Sequence, residues 1–195
     1  RRVTYGLGRT EMTPPPASSK RTRFVRPYPN FTLEDTLALP RAIQDSNSGL
    51  PLDRSLLARA LGTTTSSSSF TMKINSSAKY GLSQGGYNDP EISLTPLGKS
   101  IVAPEDRDEL RRSLIEAALH PDVFGRFYKM LDGKRLPEGP YAQNMLHREL
   151  SIHSALTLEC LAILKANGLF VGVLREVGDS LSVVLHAPGQ IDDPA

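Results

Sequence analysis

One stretch of this chain occurs twice. Leu50-Pro51 opens the first copy, followed by a helical run ending at Ala60-Leu61-Gly62, a Ser/Thr-rich turn, and a second helical run closing on Lys79-Tyr80-Gly81-Leu82. Leu136-Pro137 opens the second, followed by a helical run ending at Glu149-Leu150, a turn at Ser151 to Ser154, and a longer run closing on Asn167-Gly168-Leu169. The Leu-Pro pairs are 86 positions apart and the Gly-Leu pairs 87. A repeat of this period constrains the fold more than composition does, because each copy has to form a similar compact unit. Units of roughly 80 residues lie within the ordinary range of domain sizes.

The first unit opens with a helix after Phe31, where Thr32 caps and Asp35 follows three positions later. Leu33, Leu37, Leu39 and Ile43 give it an apolar stripe, and Pro40 is expected to kink or split it at Leu39. Asp53 caps the next helix, whose expected buried face is Leu56, Leu57 and Ala60; Gly62 ends it. Phe70, Ile74 and Ala78 mark the inner face of a third helix that Gly81 stops. Residues 82–94 read as a hairpin with a loop over the Gly85 to Pro90 cluster, and Thr95-Pro96 starts a short closing helix. An amphipathic helix over 105–119 and an aromatic-rich one from Pro121 lead into the second unit. Its expected elements are a helix over 140–150, a long helix over 154–167 carrying Leu158, Leu161, Ala162 and Leu164, and strands at 170–174 and 181–185.

Helix, tight turn, helix and hairpin, given twice, predict a mainly α (α+β) fold of tandem winged helix-turn-helix units, each with a small β-hairpin wing. The expected organisation is a disordered basic leader over 1–30, a first unit over 31–104, a second over 105–187, and a tail or linker over 188–195. The leader's composition is polar and proline-rich. Residues 1–31 hold seven cations against Glu11 alone, so they carry +6 and the other 164 residues −4 of the chain's net +2. Basic arms of this kind serve as nucleic-acid tails or as solvated leaders.

The composition argues against several classes. Cys160 is the single cysteine, so no internal disulfide forms and a cytoplasmic setting is expected. No apolar run is expected to approach the ~18 residues of a membrane span, and no signal-peptide pattern is seen. Cys160 lies in an apolar helical run and reads as a buried thiol, not as a nucleophile with His147 or His153. The spacing of His147, His153 and Cys160 matches no compact zinc pattern, and Gly6-Leu7-Gly8 is too short for a phosphate loop. No catalytic set, metal or cofactor is expected, so the chain reads as a binder and not an enzyme.

The second helix of a helix-turn-helix enters the DNA major groove. On the first unit that places Thr65, Ser67, Ser69, Lys73, Asn75, Ser76 and Lys79 toward double-stranded DNA, with Gln84 and Tyr87 of the wing beside the backbone. Arg21, Arg23 and Arg26 of the leader are candidates for phosphate or minor-groove contact. The matching face of the second unit shows His153, Thr157, Glu159 and Lys165, too little positive charge for strong DNA binding. The alternative is a sensing, protein-interaction or homo-oligomerisation module.

The segment from about Phe31 to Leu185 resembles a family of prokaryotic proteins with a winged-helix-like N-terminal region. The likeness is carried by Leu33-Glu34-Asp35, Leu39-Pro40, Ala58-Arg59-Ala60-Leu61-Gly62, the run from Ser76 to Leu82, Glu91-Ile92-Ser93-Leu94-Thr95-Pro96-Leu97-Gly98, and Lys134-Arg135-Leu136-Pro137. In that family the region often precedes a TIR-like or other nucleotide-binding effector domain, sometimes linked to antiviral defence. The resemblance implies a regulatory front end and carries over no catalytic residue.

Overall fold

The computed structural model describes residues 24–185. The fold is mainly helical with a small antiparallel sheet. The first unit begins with α1 (Leu33–Thr36) and α2 (Ala38–Asn47). The Thr32 hydroxyl accepts from the Asp35 amide, as the capping pattern predicts. The break falls at Leu37, not at Leu39 as expected. Pro40 then sits in the first turn of α2, where its missing N–H leaves no hydrogen bond unmade.

Next come β1 (Leu52–Asp53), α3 (Arg54–Ala60), α4 (Ser68–Lys79), β2 (Ser83–Gln84), β3 (Glu91–Leu94) and α5 (Pro96–Val102). Asp53 caps α3 by accepting from the Ser55 and Leu56 amides at 2.7 and 3.2 Å. Gly62 and Gly81 follow α3 and α4 with φ of +66° and +70°, the left-handed conformation that glycine adopts without a Cβ penalty. β3 lies between β1 and β2, with Leu52 opposite Ile92 and Ser83 opposite Leu94. The core of this unit joins Leu39 and Ile43 of α2, Leu57 and Ala58 of α3, Phe70 and Ile74 of α4, and Leu52, Ile92 and Leu94 of the sheet. Three expected inner positions are turned outward. Leu56 is 49% exposed, Ala60 is exposed while Ala58 takes its place in the core, and Ala78 is exposed while Ser77 takes the buried place.

The second unit consists of α6 (Arg107–Leu119), α7 (Asp122–Met130), α8 (Gly139–Glu149), a 3₁₀ turn (Ser154–Leu156), α9 (Thr157–Val171), β4 (Leu174–Val177) and β5 (Ser180–Val183). Residues 132–136 run beside β5. Gly133 N donates to Val183 O at 3.0 Å, Val183 N to Lys134 O at 3.0 Å, and Leu136 N to Leu181 O at 2.7 Å. The order across this second sheet is therefore residues 132–136, β5, β4, the same as β1, β3, β2.

The expected end of the long helix at Asn167-Gly168 is corrected. α9 continues to Val171, and Gly172 at φ +78° terminates it. Gly168 is there for packing: a Cβ would lie 2.6 Å from the Leu174 side chain and 2.7 Å from the Tyr128 hydroxyl. The strands accordingly begin later, at Leu174, and end earlier, at Val183.

The second core runs through α6–α9 and reaches across the junction to Tyr28, Leu33, Leu37, Tyr80 and Leu82. Asn167 supplies the polar centre of that junction. Its Oδ1 accepts from Leu33 N at 2.7 Å and its Nδ2 donates to the Tyr80 hydroxyl at 2.8 Å. Tyr80 in turn donates to Phe31 O at 2.8 Å. Residues 24–30 join this packing, contrary to a disordered leader over all of 1–30. Tyr28 is fully buried, Arg26 pairs with Glu159 at 2.7 Å, and Phe24 stacks on His153 at 3.9 Å between ring centroids. Residues 1–23 and the tail over 188–195 lie outside the described residues.

Candidate interaction surfaces

α4 carries most of the residues expected to face DNA, and the fold turns only some of them outward. Ser69 and Asn75 are exposed, and Thr65, Ser67 and Lys73 are half-buried. Lys73 lines a groove with Arg41 and Asp45 of α2. Ser76 is corrected: it is fully buried, and its hydroxyl accepts from Asn30 N at 3.0 Å. Lys79 is corrected as well. Its ammonium donates to Arg26 O at 2.8 Å and Tyr28 O at 2.9 Å, tying residues 24–30 to the end of α4. Burial lowers its pKa, and the nearby Arg26 charge lowers it further. Arg26 is engaged by Glu159. Arg21 and Arg23 lie outside the described residues.

At the β2–β3 hairpin, Gln84 and Tyr87 are exposed. Arg54, which the sequence reading did not single out, lies over the Tyr87 ring at 5.1 Å and donates to the Tyr87 carbonyl. The tip is thus ordered by a cation–π contact from α3. Asp89 and Glu91 beside it are exposed and acidic, a poor neighbourhood for phosphate. The outward face of α4 presents hydroxyls, an amide and a methyl group, with its cations to one side or engaged inside.

α9 differs. Leu158 is 68% exposed, Leu169 48% and Phe170 36%, with exposed Ala162, Lys165 and Ala166 between them. The opposite face buries Cys160, Leu161, Ile163 and Leu164. Leu158 and Ala162, expected among the inward residues, therefore face out. Residues 154–171 have a mean hydropathy of 1.4, long and apolar enough for a membrane span, and half of that stretch is buried within the fold. This corrects the expectation that no segment reaches such a length. The helix is apolar all round because one face is core and the other is an exposed apolar stripe.

The residues weighed for chemistry have structural partners. Burial, then the charge of Glu159, pushes the Cys160 thiol up to about 12, so it is protonated at neutral pH. His147 Nδ1 lies 2.8 Å from Ile152 O, and His153 accepts from Ala155 N at 3.2 Å. Comparison with protein-family models, curated proteins and solved structures finds no match.

Proposed function

We propose that the chain is a non-catalytic assembly module of two winged-helix units that associates with a second copy of itself through α9. The winged-helix reading is supported by the element order. Each unit runs helix, short extended segment, helix, helix, strand, strand, with the last strand central in its sheet. The observation that carries the assembly reading is the outward face of α9. From either end this face runs large, small, small, large: Leu158, Ala162, Ala166, then Leu169 with Phe170. A second copy laid antiparallel sets Ala162 against Ala166 and Leu158 against Leu169 and Phe170. That is the self-complementarity a two-fold interface needs. Small residues at the centre let the helices approach. In this reading the module regulates an effector by bringing copies together, in keeping with the TIR-like prokaryotic resemblance.

Analytical ultracentrifugation tests it. The chain is expected to sediment as a dimer at micromolar concentration, and Leu158→Glu with Phe170→Glu as a folded monomer. A monomer before any substitution would end the assembly reading.

The runner-up is binding of double-stranded DNA by the first unit, favoured by the ordered wing tip and the exposed Ser69 and Asn75 of α4. A mobility-shift titration at two salt concentrations separates the two: steeply salt-dependent duplex binding supports it.

A further inference from the structure

Between α6 and the β4–β5 hairpin lies a cleft of about 280 Å³. Arg111 and Arg112 line it from α6 and Arg175 from β4. Asp108, one turn earlier on α6, is the remaining charged group of the wall. Ile115, Val173 and Val184 supply apolar surface.

Two observations set this cleft apart from an ordinary solvated patch. First, the ion pairs among the described residues are Arg26–Glu159 and Arg126–Asp122, so none of the three arginines has a carboxylate within 4.0 Å. Three guanidinium groups line one cleft whose wall holds a single carboxylate, Asp108, and an anion between them offsets the excess positive charge. Second, Arg175 is half-buried and fixed: its Nε donates to Gly172 O at 3.1 Å, the residue that terminates α9. A guanidinium anchored through Nε retains its terminal nitrogens for a planar, two-point grip on an oxyanion.

We propose that this cleft binds a small organic phosphate. The phosphoryl group sits among Arg111, Arg112 and Arg175, whose charge exceeds that of Asp108 enough to match a dianion. The organic body lies on Ile115 and Val173, and Asp108 accepts a hydroxyl or amino hydrogen from it. The volume is at the lower end for small-molecule clefts and excludes a duplex. Beyond Arg112 and Ile115 the groove continues to Leu119 and Lys129, room for the body to extend. The site does not depend on the outward face of α9.

Calorimetric titration of the 195-residue chain at low salt with phenyl phosphate, inorganic phosphate and benzoate tests the proposal. Phenyl phosphate is expected to bind at one site per chain, inorganic phosphate several-fold more weakly, and benzoate more weakly still. Arg175→Lys keeps the charge and loses the fork, and is expected to weaken phenyl phosphate about tenfold or more. Arg111→Ala with Arg112→Ala, both exposed and so removable without unfolding, is expected to abolish binding at an unchanged melting temperature. No heat from phenyl phosphate up to millimolar concentration would overturn the proposal, and so would binding unaltered by the double variant. Benzoate binding as tightly as phenyl phosphate would overturn the phosphate assignment.

Discussion

α4 presents Ser68, Ser69, Asn75 and Ala78 to solvent, whereas α9, likewise followed by a two-stranded hairpin, presents Leu158, Ala162, Ala166, Leu169 and Phe170. Their C-terminal ends meet, since Tyr80 and Asn167 are hydrogen-bonded partners. The inner faces of both helices hold core, but their ends differ: Gly81 stops α4, whereas Gly168 lies inside α9 and Gly172 ends it. The outer faces differ too, one polar and uncharged, the other apolar. What each helix can bind is therefore read from its outer face.

The sharpest way to break this contrast is at the shared junction. Asn167→Ala leaves the buried Leu33 amide without an acceptor and removes one of the two bonds of the Tyr80 hydroxyl. The expected cost is about 2–4 kcal/mol. Asn75→Ala, the same chemical change on the outer face of α4, is expected to stay within about 0.5 kcal/mol. Urea denaturation of the two variants measures both. Equal costs would mean that the junction is not a structural centre.

Lys79→Ala sharpens the difference between an engaged and a free cation. Removing an ammonium that holds two carbonyls is expected to destabilise by about 1–3 kcal/mol, whereas Lys73→Ala is expected to change stability little. If Lys79→Ala instead weakened duplex binding at unchanged stability, the assignment of Lys79 to the interior would be wrong.

Alkaline pH reads the second core directly. Burial raises Tyr28 from 10.0 to about 12 and Cys160 from 9.0 to about 12. Groups raised in the folded state contribute stability below their unfolded values, and it is lost as pH climbs through their folded values. The lowered Lys79 works the other way, gaining stability as pH approaches 10.5. Burial raises Tyr80 and Tyr128 as well, so four losses against one gain predict a falling urea midpoint between pH 9 and 12. Cys160→Ala should remove the part that begins at 9, and Tyr28→Phe should lessen the part above 10, which Tyr80 and Tyr128 share. A midpoint constant over that range would show that neither group is held in the core.

The sequence made the caps and turns legible because their chemistry is local. Thr32, Asp53, Gly62 and Gly81 act within a few residues of themselves. Gly168 misled because a glycine inside a helix serves packing as well as termination, and its neighbours Tyr128 and Leu174 are distant or not yet placed. Leu56 and Leu158 face out although their apolar character suggests the core, because that character alone does not fix the rotation of a helix about its axis; contacts with the rest of the fold do. Ser76 and Lys79 looked like surface because the segment that covers them, around Asn30, Tyr28 and Arg26, comes from about 50 residues upstream. The candidate surface of α9 had a signal, in the apolar residues on every side of the helix, but not its meaning.

The smallest expected effect concerns the two hairpins. The β2–β3 tip is held by Arg54 over Tyr87, whereas the β4–β5 turn at Gly178 has φ +60° and among the described residues shows no such contact from a helix. Arg54→Ala removes a partly exposed cation–π contact and one hydrogen bond to the Tyr87 carbonyl. The loss in global stability is expected to be below about 1 kcal/mol. Its main consequence is local: amide exchange at residues 85–90 should accelerate toward that of residues 178–179, because the tip no longer has a side chain from α3 tying it down. Exchange at 85–90 that is already as fast as at 178–179 before the substitution would show that the stacked pair does not order the tip, and the contrast between the two hairpins would then disappear.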